Sequence, residues 1–306
     1  FMVRDGQGGL TKAGPWLWDP TKADAMKVGG TTGSGYNPTR IGGQMWTNRF
    51  DQTTAVTPSN FIYASTVYQN EAGVDVVYMY ADPSGGNRGN LYKYTVGDVR
   101  NGGTDTWEKI GVTANTPTTD NAAAIDSLHG LFVHTSATGY SPSGLGVWSL
   151  ANANAGNPSA NQDTFVSLVN ADGSAFQMSK KYGIDYDAAN DKFLLWDNTQ
   201  AGTVWVTQAA FNLDGSVANT WTIEELVSTT GAQPTGQSIN GVLGKWEYVH
   251  ELGAFVALNE YNAGTKDAEV WLYKPFATAV PEPETYALML AGLLAIAAKR
   301  RRTTLQ

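Results

Sequence analysis

No cysteine occurs in the chain of 306 residues. That absence excludes disulfide frameworks, cysteine-ligated zinc, iron–sulfur clusters and thiol nucleophiles together. It leaves the compartment open, because exported bacterial proteins also do without cysteine. Positive charge is scarce as well: 20 Lys and Arg stand against 28 Asp and Glu, giving a formal charge of -8 and a pI near 4.9. That balance argues against a nucleic-acid or anionic-membrane footprint. Charged residues make up only 16% of the chain, while 42% is hydrophobic and glycine reaches 34 residues, a composition suited to an exported β-protein with a full core. Histidine is limited to His129, His134 and His250, and none of them falls in a metal-ligand spacing such as H-E-x-x-H. No serine lies in a G-x-S-x-G elbow, and the repeated S-x-D-x-G-x-T-W pattern of sialidase-type propellers is missing.

What is present is concentrated at the end. Phe1 opens the chain, and Met2 to Gly9 holds no apolar run of the kind a secretory leader uses, so the start reads as truncated or processed. Near the other terminus Val280-Pro281-Glu282-Pro283-Glu284-Thr285 leads into an uncharged apolar run from Tyr286 to Ala298, closed by Lys299-Arg300-Arg301-Arg302. Pro281 and Pro283 keep the backbone extended for a processing enzyme, the apolar helix enters lipid, and the cationic cluster stays on the cytoplasmic side. This three-part order resembles the PEP-CTERM signal of Gram-negative bacteria, with Pro281, Glu282 and Pro283 at the motif and Arg300, Arg301 and Arg302 at the end. The resemblance implies processing by an exosortase-type membrane peptidase, transient anchoring through the helix, and a cell surface or matrix rich in exopolysaccharide. The apolar run has 13 residues, short of the roughly 20 that a bilayer usually takes. Local thinning and snorkelling of Lys299 and Arg300 offset part of the difference.

The expected organisation is therefore a body over 1–275, a proline-rich linker over 276–285, a hydrophobic helix over 286–298 and a basic tail over 299–306. Without the tail the body holds 16 basic and 26 acidic residues, a formal -10.

Within the body a pattern recurs. Tyr186 to Phe193 followed by Val204-Trp205, Ile125 to Phe132 followed by Val147-Trp148, and Tyr248 to Phe255 followed by Val270-Trp271 all keep a seven-residue step between the first two anchors. A looser copy runs from Tyr68 through Val76-Val77-Tyr78 to Leu91-Tyr92. The later anchors fall at 92, 148, 205 and 271, spacings of 56, 57 and 66 residues. Strand-like runs such as Phe193 to Trp196 are bounded by turn dipeptides, among them Asp172-Gly173 and Asp214-Gly215. Repeats of short strands at this spacing predict an all-β fold, a β-propeller of five blades, in which each small sheet buries both faces against its neighbours.

Candidate binding residues are fewer. Trp148, Trp205, Trp221 and Trp271 recur in repeat phase and read as core between blades. Trp196, Trp16 and Trp18 fall outside that phase and are the candidates for stacking on a sugar. Asp185, Asp187 and Asp191 cluster at one turn as oxygen donors for Ca2+, although Asp187 shares its repeat phase with Asp126, which favours a role in the turn itself. The functional expectation is a non-enzymatic exported surface or matrix protein that binds exopolysaccharide. The alternative is a lyase or glycoside hydrolase on the same scaffold, using Tyr, His and carboxylate groups on blade loops.

Overall fold

The computed structural model describes residues 2–3, 15–18, 26–27, 40–41, 46–48, 65–81, 89–97, 103–114, 121–137, 143–178, 182–197, 203–226, 241–258 and 269–276. The predicted linker beyond Phe276, the hydrophobic helix and the basic tail, with Pro281, Glu282, Pro283 and Arg300 to Arg302, lie outside the described residues. The chain divides into two compact units, Phe1–Leu272 and Tyr273–Gln306.

Among the described residues every regular element longer than one helical turn is a strand. The first five are short: β1 (Met2–Val3), β2 (Pro15–Trp18), β3 (Met26–Lys27), β4 (Arg40–Ile41) and β5 (Trp46–Asn48). They form a three-stranded sheet β1-β2-β5 and a hairpin β3-β4. From residue 65 onward the chain settles into up-and-down meanders. The first holds β6 (Ser65–Glu71), β7 (Val74–Ala81), β8 (Asn90–Thr95) and β9 (Thr106–Val112). The second holds β10 (Ala123–Asp126), β11 (Leu131–Ala137), β12 (Gly144–Ser149) and β13 (Thr164–Val169). In the third are β14 (Gly183–Asp187), β15 (Lys192–Trp196), β16 (Val204–Thr207) and β17 (Thr220–Leu226). The fourth shows three strands among the described residues, β18 (Trp246–Val249), β19 (Ala254–Leu258) and β20 (Val270–Tyr273).

The repeat anchors occupy equivalent places. Tyr92, Trp148, Trp205 and Trp271 each lie on the third strand of a meander, β8, β12, β16 and β20. The seven-residue step has a simple cause in register: Ile125 faces Phe132, Tyr186 faces Phe193 and Tyr248 faces Phe255 across hairpins of like length. The tryptophans are less uniform. Trp148 pairs with Phe132, whereas Trp205 pairs with Leu195, two residues further along, so the same face is kept while the position slides. Trp148 and Trp221 are buried, and Trp205 and Trp271 only half-buried.

One feature departs from a set of separate small sheets. The outer strands β13 and β17 run side by side in the same direction, and Ser167, Leu168 and Val169 pair with Thr220, Trp221 and Thr222. This parallel pairing fuses the second and third meanders into one eight-stranded sheet, β10-β11-β12-β13-β17-β16-β15-β14. Its edge strands β10 and β14 lie against each other, so the sheet is nearly closed and barrel-like.

The core follows strand alternation. Leu131, Val133, Leu145, Val147, Val166 and Leu168 of one half meet Ile184, Tyr186, Phe193, Leu195, Trp221 and Ile223 of the other. On the opposite face of the second meander, Ile125, Phe132 and Trp148 pack with Tyr78, Tyr80, Leu91 and Ile110 of the first. The third meander meets the fourth through Trp196 and Trp246, whose rings are 5.5 Å apart, while the Trp246 indole N–H donates to the Leu194 carbonyl at 3.0 Å. First strands also neighbour one another in order, β6 beside β10, β10 beside β14 and β14 beside β18. Each large side chain buried in these layers adds about 1.5–3 kcal/mol.

Candidate functional site

The turns that join the first two strands of successive meanders gather the most chemistry-bearing side chains. Asp126 ends β10 and is fully buried. Its Oδ1 accepts the backbone N–H groups of Leu128 and His129 at 3.0 and 2.9 Å, and its Oδ2 contacts His129 Nδ1 at 2.7 Å. Asp187 ends β14 and repeats the construction: Oδ1 accepts Ala189 and Asn190 N–H at 3.0 and 3.3 Å, and Oδ2 accepts Asn190 Nδ2 at 2.7 Å. A carboxylate at that place satisfies turn N–H groups that would otherwise be orphaned near the core. His129 and Asn190 thus perform one task in two repeats.

The last turn position has left-handed backbone in all three hairpins, with φ of 66° at Gly130, 53° at Asp191 and 54° at Gly253. Glycine adopts it freely, and an aspartate there is the exception. The Asp191 side chain is engaged: Oδ1 accepts the Tyr186 hydroxyl at 2.7 Å, Oδ2 accepts Gln208 Nε2 at 2.5 Å, and His129 Nδ1 lies 3.7 Å from Oδ1. Gln208 Oε1 in turn accepts Lys192 Nζ at 2.6 Å. The ring of Phe211, 40% exposed, lies 5.0 Å from that of His129. The ligand atoms of Asp126, His129 and Asp191 all fall within 4.8 Å of one another.

Two tyrosines tie one repeat to the turn of the preceding one. Burial holds the Tyr186 hydroxyl far above the usual phenol range, reinforced by hydrogen bonds to Asp191 and Asp126 and by their charges. Tyr248 is raised by burial and then by its hydrogen bond to Asp187. Both hydroxyls therefore donate rather than act as bases.

The expected aspartate trio divides into three roles. Asp191 joins His129, Asp187 caps its own turn, and Asp185 turns to the neighbouring strand. Asp185 Oδ2 accepts the Tyr248 N–H at 2.6 Å and Oδ1 the Tyr186 N–H at 2.8 Å. Burial and the charge of Glu247 push the Asp185 carboxyl up to about 7, against the pull of those two N–H groups. Glu247 is also raised: water reaches its side chain, but the surrounding protein removes much of the bulk hydration.

Of the other predicted residues, Trp196 is 1% exposed and packed in the core between the third and fourth meanders, its ring tilted against that of Trp246, so the sugar-stacking role expected for it is withdrawn. Its strand position alternates with Leu195, which faces the second meander, and so Trp196 must face the fourth. Trp16 and Trp18 lie on β2, where Trp18 pairs with Trp46, and their side chains are outside the described residues. His134 is buried against Tyr80 with ring centroids 4.4 Å apart, and His250 is exposed in a short 3-10 turn. Sequence reasoning missed Tyr186 and Gln208 as partners of Asp191. The available signal was Asp191 itself, standing where the corresponding hairpins carry Gly130 and Gly253.

Comparison with known families places a PEP-CTERM protein-sorting motif at residues 279–302. The motif spans Pro281, Glu282 and Pro283 and ends with the arginine cluster, as the three-part order predicted. The chain thus carries a sorting tag of the kind that marks a protein for export through the cell envelope and processing by an exosortase. No curated protein matches the chain. Among the described residues no helix is long and apolar enough to cross a membrane.

Proposed function

We propose that the protein is a non-enzymatic component of the surface or extracellular matrix of a Gram-negative cell, and that its body is a five-bladed β-propeller. The observation that carries the functional reading is the sorting motif at 279–302, which sends its bearer outward rather than to a cytosolic task. The propeller reading is supported by successive meanders whose two faces are both buried and whose first strands are neighbours in chain order. In this reading residues 65–276 supply four blades and the strands of residues 1–48 supply the fifth. The apolar run 286–298 holds the protein at the membrane until the tail is removed.

The ligand fitting this setting is a neutral exopolysaccharide. A body at -10 repels anionic polymers unless a divalent ion such as Ca2+ bridges them, and neutral glycans avoid that penalty. With Trp196 in the core, Trp16 and Trp18 are the remaining candidates for stacking. Binding of the full chain to neutral and acidic polysaccharides, with and without Ca2+ and repeated on Trp16→Ala and Trp18→Ala, tests this. Retention of neutral glycan that both variants weaken is the expected result, and no retention of any glycan would reject the binding role.

The alternative reading, a lyase or hydrolase, has one observation in its favour: Tyr186 and His129 converge on Asp126 and Asp191. Against it, Asp126 is fully buried with Oδ1 held by two turn N–H groups, so it is not placed to meet a polymer as bulky as a polysaccharide. Release of reducing ends or unsaturated products from a bound polysaccharide would decide for the enzyme.

A further inference from the structure

We propose that Asp126 Oδ2, His129 Nδ1 and Asp191 Oδ1 form a site for a divalent transition ion of the zinc type, joining the turn of the second meander to that of the third. The proposal stands apart from the sorting and glycan readings. Comparing the two turns gives its basis. Asp126 with His129 and Asp187 with Asn190 are built alike, and a hydrogen-bonding turn needs nothing beyond that pair. What the turns do not need is the carboxylate of Asp191, set at a left-handed position that Gly130 and Gly253 fill in the other hairpins. It adds a third donor to a group already containing an imidazole nitrogen and a carboxylate, and all three ligand atoms lie within 4.8 Å.

The charge balance supplies an independent argument. Asp126 is buried and Asp191 half-buried, and among the described residues their one basic partner is His129, with no lysine or arginine in an ion pair to either. Lys192, adjacent in sequence, is directed to Gln208 instead. Burying carboxylates without a fixed cation is unfavourable, and a bound divalent ion removes the imbalance.

The donor set selects the ion. One imidazole nitrogen with two carboxylate oxygens suits zinc and its first-row neighbours, whereas Ca2+ takes six to eight oxygens and has little use for a nitrogen. The supports behave as outer contacts of a metal site do. Asp126 is fixed through its Oδ1 by two backbone N–H groups, and Asp191 is oriented by Tyr186 and Gln208. Entry is open from the surface, since the His129 and Asp191 side chains are 35% and 27% exposed. When the ion enters, His129 takes the neutral tautomer with its hydrogen on Nε2, so the Nδ1 lone pair becomes a ligand and the contact with Asp126 Oδ2 gives way to two bonds to the ion.

The test uses the full chain stripped of metal and titrated with zinc chloride alone, followed by calorimetry and by absorption of the Co2+-substituted protein. One equivalent should bind saturably, with ligand-field bands of a nitrogen–oxygen site. Two variants copy the neighbouring repeats and so preserve the hairpins: Asp191→Gly and His129→Asn. Each should weaken zinc binding at least about tenfold while leaving circular dichroism and the thermal midpoint of the metal-free protein near wild type. Asp172→Asn, in the exposed turn after β13, should bind as wild type. Unchanged affinity in both variants, or no saturable zinc binding by the wild type up to about millimolar, overturns the proposal. Displacement of zinc by equimolar Ca2+ overturns the choice of ion.

Discussion

The turn at 127–130 and the turn at 188–191 share a plan and differ in their spare groups. In both, a buried aspartate closes the first strand and receives two turn N–H groups, and a side chain three residues later completes its coordination. The second meander uses histidine there and ends the turn with glycine; the third uses asparagine and ends it with aspartate. What every copy needs is scaffold, and what one copy adds is free to do something else. By that measure Asp126 and Asp187 are structural, and Asp191 is the residue whose presence the fold does not require. A second contrast lies one position before the paired Ile125 and Tyr186: the second meander has Ala124, and the third has Asp185 reaching across to β18.

The largest expected effect comes from removing the shared part. Asp126→Ala and Asp187→Ala should each lower stability by about 2–4 kcal/mol, because each strands two turn N–H groups near the core. Urea unfolding of both variants checks this, and a clear inequality would mean the turns are not equivalent. Trp196→Ala against Trp205→Ala sharpens the contrast between a fully and a half-buried ring, with about 3–5 kcal/mol expected for the first and less than half of that for the second.

A smaller effect is expected from pH where Asp185 of the third meander meets β18 of the fourth. Asp185 has its folded pKa raised to about 7, above the ordinary carboxylate value near 4. The folded state therefore holds the proton more tightly than the unfolded chain, and this group's contribution to stability falls as pH rises from about 4 to about 7. Glu247→Gln removes the like charge, so the loss should shrink and stability at pH 8 should rise by about 0.5–1 kcal/mol. Chemical denaturation at pH 5 and pH 8 reads this directly. Smallest of all, Asp191→Gly should change stability by no more than about 1 kcal/mol, because relief of the left-handed backbone offsets the lost Tyr186 hydrogen bond. A larger loss would make Asp191 scaffold after all.

Much of the body was legible because repetition writes itself into sequence. The step from Tyr186 to Phe193 is a hairpin register, and it recurs wherever that hairpin recurs. Asp172-Gly173 and Asp214-Gly215 also announced their turns, with Gly173 and Gly215 at φ of 83° and 81°. Their likeness goes further than the dipeptide: Asn170 and Asn212 each donate to the serine four residues on, Ser174 or Ser216, which donates to Asp172 or Asp214. The parallel pairing of β13 with β17 left no trace, because pairing between outer strands depends on where two meanders bring them and not on any local pattern. The site was harder still. Trp196 stood out of phase and suggested a surface ring, yet alternation along β15 sends it into the next interface. Asp185, Asp187 and Asp191 are close in sequence, and strand alternation and the turn send them three different ways.

Delivery by the C-terminal tag leaves its mark on the intact mass of the mature protein. In cells carrying the matching exosortase, the wild type should appear outside with its mass shortened by the residues beyond the Pro281-Glu282-Pro283 region. A chain with Pro281→Ala and Glu282→Ala should stay membrane-retained at the longer mass. Equal masses and equal release of the two forms would contradict the account.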